Sequence, residues 1–357
     1  MSTAIISDGG GGSQNAELLE ALAAFLGSRL EADGLVVTSF KRHVEGFSWE
    51  TYEVGVGWDA NGQGHEREFI VHRVPVAGLL EPYSVRPVYE LRKAIEGVEG
   101  VPVPATLWLD EAGSATGRPL YVVEKVEGEV PTQWTSDRFF ADDDARRSTA
   151  RQLMRIGAAL HGAPTEIAPS GLRGSGADAF EIVVHWHEIY THDCLEPVPA
   201  LDWGFAWLFA NRGRISDRRG ILHGDFRTGN YMMRGGKIVA LLDFEEGHVG
   251  DPVQDLAHCA LRLFRGRTRQ PSGLVPIAEM LEMYEEASGW TVPREAFHFW
   301  SVFEAVYTAV TQHRAASLFA RGRTNDVRYP ALGYQAHHID RYVIDYVDAA
   351  EKGGPPE

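Results

Sequence analysis

Residues 222–230 read LHGDFRTGN, and the chain continues YMMRGGKIVALLDFEEGHVGDPVQDLAH to residue 258. The first stretch sets an aspartate, an arginine and an asparagine around a glycine turn, directly after the apolar pair Ile221–Leu222. Asp225 precedes the turn, and Asn230 follows it by five positions. The segment YMMRGGKIVALLD reads as strand, Gly-Gly turn, strand. Such a hairpin brings Asp243 back beside Asn230. Hard cations such as Mg²⁺ take oxygen ligands, commonly one or two carboxylates together with substrate phosphates. Asn230 and Asp243 supply protein oxygens of that kind, and Asp225 is left to orient a hydroxyl and accept its proton. A lone His-Gly-Asp is also compatible with a plain turn in which Asp225 bonds backbone amides. The fixed Asp–Asn spacing, the hairpin and the second aspartate together are much harder to obtain by chance.

An Asp followed five positions later by an Asn, and then by an Asp on the next hairpin, is the pattern of protein-kinase-like phosphotransferases. More narrowly, HGDFRTGNYMM followed by LLDFEEGHVGDPVQDLAH resembles the aminoglycoside phosphotransferase and choline kinase-like family. Within it, the bacterial branch related to kinase-like domains found with acyl-CoA dehydrogenases is the nearest match. The resemblance runs from about residue 36 to residue 340. It implies a two-lobed, protein-kinase-like α+β fold, ATP and Mg²⁺ as cofactors, and transfer of the γ-phosphate to a hydroxyl of a small molecule. It makes Asp225 the catalytic residue and Asn230 and Asp243 the metal ligands, with Asp255 helping to fix the catalytic loop. His223 is expected to brace that loop through hydrogen bonds. An aminoglycoside acceptor, and with it antibiotic resistance, fits the family. A choline-like, sugar or acyl-linked hydroxyl fits the fold equally well. The non-enzymatic alternative is a nucleotide-binding pseudokinase module, and the complete set Asp225, Asn230 and Asp243 speaks against it.

The nucleotide side is fainter. The candidate phosphate-covering loop is EGFSWETYEV, residues 45–54, with Gly46 permitting the turn and Ser48 or backbone amides near the phosphates; it is not G-x-G-x-x-G. The strand FIVHRVP offers Arg73 as the cation that holds the phosphates, and a shift of one residue selects His72 instead. Glu90 in VYELRKAI is the candidate helix partner. LYVVEKVEGEV resembles the hinge between lobes, where backbone groups of Glu124 and Val126 would meet the adenine.

The 357-residue chain is 44% hydrophobic and 24% charged, an ordinary globular composition, with a formal charge of -16 from 34 basic and 50 acidic side chains. That sign excludes a nucleic-acid backbone as a natural partner and favours a cationic small molecule, although acidity also serves solubility alone. The 2 cysteines, Cys194 and Cys259, cannot form a disulfide framework and read as reduced thiols in a cytoplasmic protein. No run of 18 apolar residues suggests a membrane span. Neither does the N-terminus resemble a signal peptide. A monomer and a homodimer are both compatible with the sequence.

Residues 1–14, with the glycine run Gly9–Gly12, read as a flexible lead-in. Residues 15–126 combine an amphipathic helix at 15–32, β-rich segments between about 36 and 76, a short helix at 84–96 and an apolar strand ending near 126, giving a nucleotide-binding N-lobe. Residues 127–357 read as the C-lobe, with helices at 142–161, 179–193, 201–211, 252–265, 276–287 and 294–321. In GDPVQDLAH, Asp251 is placed as an N-cap, Pro252 at the first helical position and Gln254 to complete a capping box. His185, His187 and His192 lie close in sequence but lack the four-residue spacing of a helical zinc pair.

Overall fold

The computed structural model describes residues 5–6, 12–43, 46–174, 176 and 178–353. The chain forms two compact units, one of residues 1–89 and 104–126, the other of residues 90–103 and 127–357. Most of the expected lead-in, including Gly9–Gly11, lies outside the described residues.

The first unit holds β1 (Ile5–Ile6), α1 (Gly12–Leu30), β2 (Val36–His43), β3 (Glu50–Ala60), β4 (Gln63–Arg73), the start of α2 (Val85–Ile95), β5 (Thr106–Asp110) and β6 (Leu120–Glu124). The strands form one sheet in the order β1-β2-β3-β4-β6-β5, antiparallel except for the β1–β2 pair. Side chains alternate between the two faces of a strand. Leu18, Leu22 and Leu26 of α1 therefore meet Tyr52, Val54, Val56, Phe69, Val71 and Val122 on one face. Val85 and Val88 of α2 meet Tyr121 and Val123 on the other.

The same alternation separates Arg73 from His72. Arg73 shares the face of Phe69 and Val71. It pairs across strands with Glu50 at 3.4 Å and donates to the Thr116 carbonyl at 2.6 Å. Arg118 joins the same carboxylate at 2.7 Å. His72 lies on the α2 face, stacked on Tyr121 with ring centroids 4.7 Å apart. His72 thus lies on the face of Val85 and Val88 of α2, and Arg73 on the opposite face.

The second unit is mainly helical. It contains α3 (Ser136–Phe139), α4 (Asp143–His161), α5 (Glu181–Asp193), α6 (Pro199–Ala210), α7 (Val253–Ala260), α8 (Ile277–Ser288), α9 (Arg294–Ala320) and α10 (Arg328–Lys352). Two short hairpin-like sheets interrupt them: β7 (Gly220–Leu222) with β10 (His248–Gly250), and β8 (Tyr231–Arg234) with β9 (Lys237–Leu241). The aspartate cluster begins α4 as expected, with the Asp142 side chain accepting the Ala145 N–H at 2.8 Å. The expected helix 252–265 instead stops at Ala260 and resumes as a 3-10 turn over Arg262–Phe264. Helix α10, absent from the sequence reading, packs along α9. All of α7 is buried, and α9 buries Phe297, Trp300, Phe303, Val306 and Val310, so these two helices pack together in the core of the unit.

Candidate active site

The site is built in the second unit on the turn that leaves β7. The antiparallel pairing of Leu222 with His248 fixes where the turn starts. Gly224 then adopts φ +84°, and a Cβ there would stand 2.3 Å from the Glu246 carbonyl, so only glycine lets the chain reverse so close to the 244–248 segment. The fully buried Asp255 of α7 holds the reversal. Its carboxylate accepts the N–H of His223 at 2.7 Å and of Gly224 at 2.9 Å, and His161 from α4 at 3.0 Å. Burial alone would raise the pKa of Asp255, but the His161 hydrogen bond and charge bring it below the ordinary value. His223 is buried and held neutral by desolvation. Its Nε2–H donates to the Leu242 carbonyl at 2.7 Å, and its Nδ1 accepts the Asp225 N–H at 3.2 Å.

These contacts aim Asp225. Its Oδ1 accepts from His258 Nε2 at 2.7 Å and Arg227 Nε at 2.6 Å; its Oδ2 accepts from Arg227 Nη2 at 3.0 Å and Asn230 Nδ2 at 2.5 Å. Burial opposes ionisation, yet the Arg227 charge and the His258 hydrogen bond outweigh it and hold the carboxyl far below the usual carboxylate range. Asp225 is therefore an anion at any physiological pH.

The hairpin read from the sequence is present. Tyr231 pairs with Leu241, and the Leu242 N–H donates to the Asn230 carbonyl at 2.9 Å, so Asp243 follows immediately beside Asn230. The Asn230 amide nitrogen is spent on Asp225, on both its backbone carbonyl at 2.8 Å and its carboxylate, which turns Asn230 Oδ1 outward. Asp243 sits at φ +63°, an uncommon conformation for a residue with a Cβ. No donor reaches its carboxylate among the described residues. Desolvation and the neighbouring Asp225 push its pKa up to about 6, against the opposing charges of Arg227 and Arg92. A carboxylate crowded by another and given no hydrogen bond is a poor resting place for one negative charge. Beside an outward amide oxygen, it suits a divalent cation that also carries phosphates.

The structure thus brings Asp225, Asn230, Asp243, His223 and Asp255 together. Ser48, Arg73, Glu124 and Val126 lie in the first unit. The Ser48 carbonyl accepts from Tyr83 Oη at 2.8 Å. Glu124 closes β6, with its N–H on the Ala105 carbonyl at 2.9 Å, whereas the Val126 N–H meets no acceptor among the described residues. Glu90 is half-buried on α2. The α2 side chain whose charge acts on Asp243 is instead Arg92, 2% exposed, with its guanidinium 5.8 Å from the Phe244 ring centroid. Sequence reasoning missed Arg92, because an arginine in a short amphipathic helix reads as solvated. It also missed His258 and Glu304, which only tertiary packing joins. Asp251 accepts the Val253 N–H at 3.0 Å, as a cap does, but Gln254 turns to His248 Nε2 at 3.1 Å and forms no capping box. His187 packs on Phe205 and Phe209, and among the described residues no group of three His, Cys, Asp or Glu side chains is arranged to hold a metal.

A five-stranded antiparallel core with one helix on each face, and a helical unit that sets an aspartate, an asparagine and a second aspartate on a turn and hairpin, define a protein-kinase-like fold. Residues 39–298 match the APH family, described as the phosphotransferase enzyme family, and the chain belongs to it. A crystal structure of a candidate aminoglycoside phosphotransferase from Ralstonia eutropha superposes with a TM-score of 0.68 at 23% identity, covering 93% of this chain and 98% of that one. The aminoglycoside phosphotransferase APH(4)-Ia, in a ternary complex with AMP-PNP and hygromycin B, gives 0.55 at 13% identity over 90% of this chain and 98% of its own. Human acyl-CoA dehydrogenase family member 11 is 26% identical over 237 residues, 62% of this chain and 30% of that protein. The chain spans under a third of the length of the curated relatives it matches, 30% for the rat, orangutan and human proteins. Among the described residues no helix is long and apolar enough to cross a membrane.

Proposed function

We propose that the protein is an ATP- and Mg²⁺-dependent kinase of a small-molecule hydroxyl. The observation that carries this reading is the pairing of an ionised Asp225 with an Asp243 carboxylate that no donor reaches among the described residues, at the end of the hairpin that begins at Asn230. Asp225 accepts the hydrogen bond of the attacking hydroxyl and then its proton. Asn230 and Asp243 are the residues that would hold Mg²⁺, which when bound neutralises charge on the phosphate oxygens. Ser48, the strand cation and the backbone of Glu124 and Val126 are the candidates for nucleotide contacts. The remaining contribution is positioning, since phosphoryl transfer asks little covalent chemistry of the protein.

The net charge of -16 supports a cationic acceptor such as an aminoglycoside, and the complex of APH(4)-Ia with hygromycin B points the same way. The decisive experiment follows γ-phosphate transfer from labelled ATP to a panel of aminoglycosides, choline-like alcohols, sugars and acyl-linked hydroxyls. Transfer to one class identifies the acceptor. Nucleotide binding with no transfer to any would overturn the kinase reading in favour of a pseudokinase module.

The metal assignment has its own test. Wild-type protein is expected to bind ATP more tightly as Mg²⁺ rises. Asp243→Asn keeps the shape but removes the charge, and roughly tenfold or more of that Mg²⁺-dependent gain is expected to vanish. Calorimetric ATP titrations at several Mg²⁺ concentrations measure it, and an unchanged metal dependence in the variant rejects Asp243 as a ligand.

A further inference from the structure

We propose that His258 and Glu304 are positioning residues for Asp225, forming with it a buried Glu–His–Asp brace behind the reacting carboxylate. The inference rests on the kinase reading for its consequence but on geometry for its existence. Helix α7 presents Asp255 and His258 three residues apart, hence on one face. Asp255 clamps the loop backbone at His223 and Gly224, and one turn later His258 clamps the Asp225 side chain. The opposite ring nitrogen, Nδ1, lies 2.6 Å from Glu304 Oε2 on α9. The side chains of His258 and Glu304 are only 3% and 1% exposed.

The ring faces a carboxylate oxygen at each nitrogen. A neutral imidazole has one N–H, so one nitrogen lone pair would confront a carboxylate; an imidazolium donates to both. Burial works against that charge, but the Glu304 carboxylate and the Asp225 hydrogen bond raise the His258 pKa to about 10. The groups facing the pair are Asp225 and its partner Arg227 from the loop, Glu304 from α9 and Asp255 from α7 itself, with the rings of Phe264 and Tyr307 at 5.0 and 6.4 Å. Burial pushes the Glu304 carboxyl up against the pull of the His258 charge and hydrogen bond, so its charged form rests on the pairing with His258.

The two cationic partners of Asp225 differ in kind. Arg227 projects from the same turn, donates to the Thr228 carbonyl at 3.2 Å and is 22% exposed, so of the two it is the one open to being displaced by a substrate or phosphate. His258 is fixed between two packed helices and cannot be. It therefore pins one lone pair of Oδ1 permanently and sets the plane in which the remaining lone pairs meet a hydroxyl. Glu304 keeps the ring from turning and supplies its second acceptor. Loss of the brace leaves Asp225 ionised but held only from the turn, by Arg227 and Asn230, so it shifts once Arg227 is drawn to substrate, and a misplaced base loses turnover rather than affinity.

Three variants and one spectroscopic measurement test this. His258→Leu removes the donor while filling the space, and is expected to lower kcat roughly 10- to 100-fold with ATP affinity unchanged. His258→Gln, whose amide can reach Asp225 from a similar distance, is expected to recover most of that loss. Glu304→Gln is expected to fall between them. Nitrogen-resolved NMR of His258 in the wild-type protein is expected to show both ring N–H groups from pH 6 to 9, and the second proton to be lost in Glu304→Gln. A folded His258→Leu with wild-type kcat, or a Gln variant as impaired as the Leu variant, overturns the positioning role. A wild-type His258 that titrates with one N–H at neutral pH overturns the brace itself. Should the wild type transfer phosphate to no acceptor, the kinase reading fails while the NMR arm still decides the brace.

Discussion

Asp225→Asn is expected to stay folded and bind ATP, melting somewhat below wild type because its NH₂ meets the donors of Arg227 and of His258 or Asn230, while its phosphate transfer per folded molecule falls by roughly 10²- to 10⁴-fold, the usual worth of a positioned general base. Asparagine matches aspartate in size and keeps one oxygen that can accept from His258 or Arg227. What it cannot do is take a proton. The variant removes one anion from the cluster, but Arg227 is partly exposed and can be solvated, and His258 keeps Glu304. A purely structural Asp225 predicts the lower melting temperature alone, with unchanged turnover per folded molecule. Transfer rate, ATP affinity and melting temperature measured on one preparation separate the two, and a folded variant with near wild-type transfer ends the catalytic assignment.

The segment that decides the fold was legible because its information is local. Asp225, Asn230 and Asp243 fall within nineteen positions of one another, and a Gly-Gly turn between two apolar runs states the hairpin that joins them. The faces of the sheet that Arg73 and His72 take were not legible. Both faces of the β4 strand are covered, so Phe69, Ile70, Val71 and Val74 are all apolar and the period-two signal that would separate Arg73 from His72 is lost. Helix α10 escaped for a related reason. Its buried residues, Tyr329, Ala336, Ile339, Val343 and Tyr346, recur at helical spacing, but Pro330 and Gly333 in its first turns imitate a loop. His258 lies 33 residues from Asp225 and 46 from Glu304, and no spacing rule links three residues on a loop and two helices. In sequence, the histidine of DLAH is simply the polar end of a buried helix.

Local and distant information meet in α7. Its sequence, VQDLAHCA, places two acceptor or donor groups on one face, and every residue of the helix is buried, so the helix cannot shift without repacking against α9. The turn carrying Asp225 is thus tied to a fully buried helix at two points, backbone and side chain. A base that must approach a hydroxyl within hydrogen-bond distance gains from being held in this way, since a small displacement of the carboxylate costs more rate than a moderate change in its basicity.

Asp255→Ala is the complement of Asp225→Asn, and its effect is expected in the fold first. The substitution orphans three buried donors at once: the His223 N–H, the Gly224 N–H and the His161 imidazole. An unsatisfied buried donor costs ~1–3 kcal/mol, so three of them put the expected loss at about 3–9 kcal/mol, a large part of an ordinary domain's stability. Asparagine offers little rescue, because one of its two terminal positions becomes an NH₂ facing N–H donors. A pH signature accompanies the loss. The Asp255 carboxyl has a lower pKa folded than unfolded, so its stabilising contribution is complete above the unfolded value of about 4 and is lost as pH falls through the folded one. Wild type and variant should therefore differ most at neutral pH, with the gap narrowing as pH falls below about 4. Melting temperatures of both proteins from pH 3 to 7 measure this, and an Asp255→Ala protein within a degree of wild type at pH 7 would mean that the loop is held by something other than this carboxylate.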